Sequence, residues 1–232
     1  MKTRIIYTIL CPLLLCFLFS SCGPLIFKAN FDADTVGDPP NPNPPGDPSD
    51  DEIKGNCGIR VVNSSILDSN AMRFFNEPNC AVGLMWFESG NVATSNKFLN
   101  YTFIGYPEST SHRKFTLSFA GGHFRPAFTI LYDGGTMYLT DGTYTNHNIG
   151  NYTANQKQTF LVGINRETNT YSVTIARAGT SNIQLSDRPV KEATFWGQSA
   201  YILNAFYDPD DTNSSTNGFV FDSITINKEK VE

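Results

Sequence analysis

Phe115, Leu117 and Phe119 alternate with Thr116 and Ser118; Phe128, Ile130 and Tyr132 alternate with Thr129 and Leu131; Tyr171, Val173 and Ile175 alternate with Ser172, Thr174 and Ala176. Apolar residues at every second position give a strand one face for a core and one face away from it. The pattern recurs through most of the chain beyond Ile53, and no long segment carries a helical period. Asp133-Gly134-Gly135 and Asp141-Gly142 flank the run Met137 to Leu139, and Asn169 separates Ile164 from Tyr171. Gly and Asn accept the positive φ that tight hairpins require. Strands broken by turns every 8–12 residues or so predict an all-β chain folded as one antiparallel sandwich or barrel.

Ahead of that region, Leu25-Ile26-Phe27-Lys28-Ala29-Asn30-Phe31 reads as a first strand. Six of the 13 prolines follow between Pro39 and Pro48, a density that excludes helix and sheet interior. Two readings stand for residues 38–48. They form an extended tether, or they cross over the outside of a domain that already includes the first strand. The second reading sets the domain at residues 26–230, with 22–25 as a short tether. The tail from Asn227 is charged and frays.

The chain begins with a basic Met1-Lys2-Thr3-Arg4, an apolar run from Ile5 to Phe19, and Ser20-Ser21-Cys22-Gly23. That order is a secretory signal, and the run is short for a membrane span. Leu18-Phe19-Ser20-Ser21-Cys22 resembles a bacterial lipobox, with Phe19 where Leu is commonest. The resemblance implies a signal peptide over residues 1–21 and lipidation of Cys22. The partner of the N-terminus is then a membrane, and the location the bacterial cell envelope, on its periplasmic face or cell surface. Several acyl chains suffice for stable anchoring. Removing the signal takes away Lys2 and Arg4, leaving 15 Lys and Arg against 22 Asp and Glu, a net charge of −7. Charge would not hold such a chain to an anionic surface, and the balance argues against a nucleic-acid partner. Composition adds that 40% of residues are hydrophobic and 13% aromatic, enough for a packed core.

Of five cysteines, Cys11 and Cys16 leave with the signal and Cys22 carries lipid, so Cys57 and Cys80 remain as a pair. An exported chain meets an oxidising compartment, and a disulfide is expected. It would close a loop of about 24 residues and stabilise by about 3 kcal/mol on the loop-entropy account.

Phe160 to Ile175, a strand, a turn through Asn165–Asn169 and a second strand, resembles the hairpin of concanavalin A-like lectin/glucanase and laminin-G-like domains. Gly218-Phe219-Val220-Phe221-Asp222-Ser223-Ile224-Thr225-Ile226 resembles their last strand, and Phe31-Asp32 with the prolines beyond resembles their start. The resemblance implies a jelly-roll β-sandwich. It points to a non-catalytic carbohydrate-binding or adhesive domain, with a glycan or polysaccharide as partner. The glucanase branch uses Glu-x-Asp-x-Glu, which sets three carboxylates on one strand face; this sequence has no such triplet. A polysaccharide-active hydrolase or lyase with a differently built site, and a structural envelope protein that binds another protein, are the alternatives. An aromatic-lined groove would favour binding, two convergent carboxylates an enzyme, and a flat apolar face a protein partner.

Candidate ligand contacts follow from residue type. Trp196, near Tyr201 in a polar stretch, offers a stacking platform for a sugar ring, or packs in a loop. Trp86, inside Leu84-Met85-Trp86-Phe87, is expected in the core. Gly121-Gly122-His123-Phe124-Arg125 reads as a turn or bulge; alternatively its glycines admit a ligand beside His123 and Arg125. The histidines show no paired spacing for zinc. Asp208 to Asn213 is oxygen-rich, as calcium loops and ordinary loops both are. In several jelly-roll carbohydrate-binding families an acidic residue after the first strand and one in the last strand share a structural Ca²⁺. Asp32 and Asp222 resemble those positions. A bulge that turns Asp222 outward is the other reading.

Overall fold

The three alternating segments do turn one face inward. Phe115, Leu117, Phe119, Phe128, Ile130, Tyr132, Tyr171, Val173 and Ile175 are all buried. The computed structural model describes residues 25–41, 52–55, 58–75, 77, 83–88, 97–111, 114–122, 125–191, 201–206 and 218–228. Its strands are β1 (Leu25–Ala29), β2 (Glu52–Gly55), β3 (Ile59–Ser64), β4 (Ser69–Phe74), β5 (Leu84–Glu88), β6 (Phe98–Pro107), β7 (Phe115–Gly122) and β8 (Arg125–Asp133). They continue as β9 (Thr136–Thr140), β10 (His147–Asn151), β11 (Gln158–Asn165), β12 (Thr170–Arg177), β13 (Ile183–Pro189), β14 (Tyr201–Phe206) and β15 (Phe219–Asn227).

Two antiparallel sheets pack face to face. One runs β13-β12-β11-β6-β15-β4-β3, with β1 added alongside β15; the other runs β10-β9-β8-β7-β14-β5-β2. This is a jelly-roll β-sandwich. Neighbouring strands that are distant in sequence, such as β6 with β15, make the fold non-local; the hairpins β7–β8, β8–β9 and β11–β12 supply its local part.

Aromatic rings join the sheets. Phe103 stacks on Phe160 at 4.3 Å within one sheet, and Phe119 on Phe128 at 4.6 Å within the other. Phe128 stacks on Tyr171 at 4.0 Å across the gap. Such pairs add about 0.5–1.5 kcal/mol each beyond the burial of their area. β1 belongs to this core: Phe27 is buried and meets Phe87 edge-on at 5.3 Å. The segment after it is hydrogen-bonded to β3, through Gly37 N to Val61 O at 2.9 Å and Val61 N to Asp38 O at 2.8 Å. Residues 42–51, with the later prolines, lie outside the described residues.

Turn chemistry matches the sequence at two connections. Gly134 and Gly135 take φ of 55° and 83° between β8 and β9, and Asn169 takes 56° between β11 and β12. At the third, Asn146 and not Gly142 carries the positive φ, at 53°. Asp141 shapes that turn instead, accepting the amides of Thr143 and Tyr144 at 2.7 and 2.8 Å. Trp86 departs from expectation. Period two turns Met85 and Phe87 inward, both fully buried, and leaves Trp86 on the outer side, half-buried.

The outer side of the eight-stranded sheet is unequal. Over β3, β4, β15 and the end of β6, the residues Leu67, Ala71, Tyr106 and Val220 form a second small cluster, with Ile66 and Ile104 against it. Over β6, β11, β12 and β13 no such cluster forms among the described residues.

Candidate functional site

The latter half of that face holds a groove with a volume of about 690 Å³. Register builds it. Asn100 on β6, Gly163 on β11 and Ser172 on β12 stand side by side, and Thr102, Leu161 and Thr174 form the next row. These are the outward positions of strands whose inward residues, Tyr101, Phe103, Phe160, Val162, Tyr171 and Val173, are buried. Four strands spaced about 4.8 Å apart give a trough roughly 14 Å across the strand direction.

Two residues shape its floor. Leu161 is 49% exposed on an interior strand, an apolar patch in a polar row. Gly163 makes the low point: a Cβ there would stand 3.3 Å from the Asn100 side-chain oxygen. Phe98 closes one end, and Asn165 beside it accepts the amides of Glu167 and Thr168 to form the turn.

A bulge shapes the far wall. Between the pairs Val173–Leu185 and Tyr171–Arg188, β13 carries one residue more than β12. Asp187 takes up the slack with φ of 50°, its amide donating to Ser172 Oγ at 3.2 Å. Bulges re-aim side chains in this way. Asp187 is exposed and is the one carboxylate among the described residues that line the groove.

Of the sequence-derived contacts, two lie on described strands. Arg125 starts β8 opposite Gly122, and Tyr201 starts β14 opposite Glu88, both in the seven-stranded sheet. The groove lies on the other sheet. Trp196 and His123 lie outside the described residues, as do Cys22, Cys57 and Cys80 and the Asp208 to Asn213 stretch.

Asp32 and Asp222 are described. A bulge lies between Phe221 and Ile224, where β15 advances three residues against two on β6. Asp222 therefore leaves the inward row, and Ser69 Oγ donates to its Oδ1 at 3.2 Å. Partial burial pushes the Asp222 carboxyl above the usual range; the Ser69 hydrogen bond opposes this, and the Asp32 charge adds to it. The charge of Asp32 is therefore felt at Asp222. Two carboxylates would supply only part of the roughly six to eight oxygens that Ca²⁺ takes, and no group of three or more His, Cys, Asp or Glu suited to a metal occurs among the described residues.

No protein-family model matches the sequence, and no curated protein matches it. Solved structures do. A sialidase aligns at 8% identity and a TM-score of 0.54 over 78% of this chain and 17% of its own. The catalytic domain of a GH131 β-glucanase from Podospora anserina aligns at 11% and 0.54, over 79% of this chain and 86% of its own. A botulinum neurotoxin type C structure, from a toxin whose cell entry is described as dependent on two ganglioside molecules, aligns at 12% and 0.56, over 90% of this chain and 48% of its own. The chain therefore spans under a fifth of the sialidase and about half of the neurotoxin chain. At these identities the likeness is one of fold, a jelly-roll sandwich that recurs among carbohydrate-related proteins.

Sequence reasoning missed the groove. Its residues come from four strands and meet only through register. Two local signals pointed to it: Leu161 at an outward position of an alternating strand, and Gly163 in a strand interior, where glycine marks a close approach.

Proposed function

We propose that the chain is a bacterial envelope lipoprotein whose β-sandwich binds carbohydrate without altering it. The groove on the eight-stranded sheet carries this reading. It is open and extended; in place of the aromatic lining expected of a binding groove it presents hydroxyl and amide groups around an exposed leucine, with Phe98 at one end. Binding sites of this kind pair an apolar patch with a few placed polar groups. Hydrolysis of a glycosidic bond calls for two carboxylates flanking it, and the described lining offers Asp187 alone. The likeness in fold to a β-glucanase catalytic domain and to a neurotoxin that interacts with gangliosides agrees with a carbohydrate ligand, and the former keeps a hydrolase as the second reading. A protein-binding role would suit a flat apolar face better than this polar trough.

The lipid at Cys22, the Cys57–Cys80 disulfide and a structural Ca²⁺ at Asp32 and Asp222 belong to the same proposal. The disulfide is supported by its surroundings: Phe75 N donates to Gly58 O at 2.9 Å, and Arg60 reaches Glu77 at 3.1 Å. Those contacts tie the chain next to Cys57 to the chain that leads to Cys80. The deciding experiment is a polysaccharide screen of the full-length protein purified in detergent, run in Ca²⁺ and again in EDTA. Saturable binding to one glycan class is expected, and no binding to any class contradicts the proposal.

A further inference from the structure

We infer that the groove takes an uncharged glycan and that Asp187 sets this selectivity; the inference rests on the glycan-binding reading above. Among the described residues that line the groove there is no Lys, Arg or His. Lys97, next to Phe98 at one end, is ion-paired with Glu167 at 2.6 Å. Lys28 sits on β1, separated from Thr102 by the width of β15. Arg188, beside Asp187 in the chain, serves the other side of its strand. Its Nε donates to Asp141 Oδ2 at 3.2 Å, and its guanidinium lies over the Tyr144 ring at 4.4 Å.

The bulge in β13 thus separates two opposite charges, turning the carboxylate to the groove and the guanidinium away from it. A carboxylate accepts hydrogen bonds from sugar hydroxyls and makes them stronger than neutral pairs. Toward a uronate or sialate it is repulsive, and no cation among the described lining residues offsets it. Rejection by an unmatched charge is how a site with modest contacts becomes specific. The backbone favours this residue as well. At φ of 50° Asp and Asn are the side chains best tolerated after glycine, so Asp187→Asn removes the charge with the conformation retained.

The test is calorimetric titration of the full-length protein, in detergent, with matched pairs of neutral and carboxylated oligosaccharides from an α-glucan, a β-glucan and a galactan. The expected result is a neutral member bound roughly tenfold or more tightly than its carboxylated partner at low salt, with the gap narrowing as salt screens the repulsion. Asp187→Asn, with melting temperature as the check on folding, is expected to bring the two within about threefold of each other, mainly by improving the carboxylated ligand. A carboxylated member bound as tightly as the neutral one, or an unchanged ratio in Asp187→Asn, overturns the inference and leaves the glycan groove standing. Failure of all pairs to bind, or binding that survives Gly163→Val, overturns the groove and the inference together.

Discussion

The Tyr171 hydroxyl donates to Asp141 Oδ2 at 2.7 Å and ties the two sheets together beneath the groove. Tyr171 lies on β12, back to back with Ser172 in the groove, and Asp141 directly follows β9 of the opposite sheet. Asp141 is buried, and the same oxygen accepts Arg188 Nε from β13. One carboxylate therefore fixes β12, β13 and the β9–β10 turn. Since Asp187 precedes Arg188, this buried cluster also anchors the bulge that faces the groove.

Acid should loosen that anchor. Burial pushes the Asp141 carboxyl up, but hydrogen bonds from Tyr171, the Tyr144 and Thr143 amides and Arg188 outweigh it and hold the group below the usual carboxylate range. The stability this contributes is fully present above the unfolded value, near pH 3.9, and is lost as pH falls through the folded value. Asp141→Asn should cost about 3 kcal/mol at neutral pH, as the loss of one partner of a buried pair does. It should also flatten the acid limb of the stability curve. Chemical denaturation from pH 7 to pH 2 checks both; a variant with the wild-type acid limb would contradict the assignment.

β1 is a structural strand by its contacts. Phe27→Ala removes a fully buried ring packed on Phe87 and should destabilise by about 3–5 kcal/mol. Urea unfolding measures it. A loss under about 1 kcal/mol would mean that the strand is only loosely held.

Asp222 predicts the opposite sign. Its carboxyl is raised by burial first and by Asp32 as well, so the charged form opposes folding once pH exceeds the folded value. The favourable contribution of the protonated form is complete below the unfolded value and lost as pH rises through the folded one. In EDTA at pH 7, Asp222→Asn should melt at the wild-type temperature or above it. Added Ca²⁺ should raise the melting temperature of the wild type and leave the variant unmoved. A wild type indifferent to Ca²⁺ removes the calcium proposal.

The cysteines separate by chemistry. Radiolabelled fatty acid should enter the wild-type protein and not Cys22→Ala. Alkylation without reductant should miss Cys57 and Cys80 and label both after reduction. Labelling of Cys22→Ala, or alkylation of the pair before reduction, contradicts the respective assignment.

The core was legible because its signal is local. Phe115, Leu117 and Phe119 declare their face by period two, and no knowledge of partners is needed. The bulge that turns Asp222 out of its row was one of two readings, since a charge between Phe221 and Ile224 has to escape or pair. Trp86 departs from its expected place because a run of four apolar residues hides its alternation until the strand is paired. The groove was illegible for a different reason. Asn100, Gly163, Ser172 and Asp187 acquire meaning from β-sheet register, and the bulge at Asp187 from a one-residue mismatch between β12 and β13. Only the outward Leu161 and the interior Gly163 leave a local mark, and neither shows which strands stand beside it.

If the outer face of β6, β11, β12 and β13 holds the ligand, Gly163→Val should block it. Valine suits an interior strand, and its side chain would fill the floor where a Cβ already meets Asn100 at 3.3 Å. Titration of the glycan selected by the screen against wild type and variant, with melting temperatures in parallel, is the measurement. The variant should melt within a few degrees of wild type and bind roughly tenfold more weakly or worse; undiminished binding by a folded variant would place the ligand elsewhere.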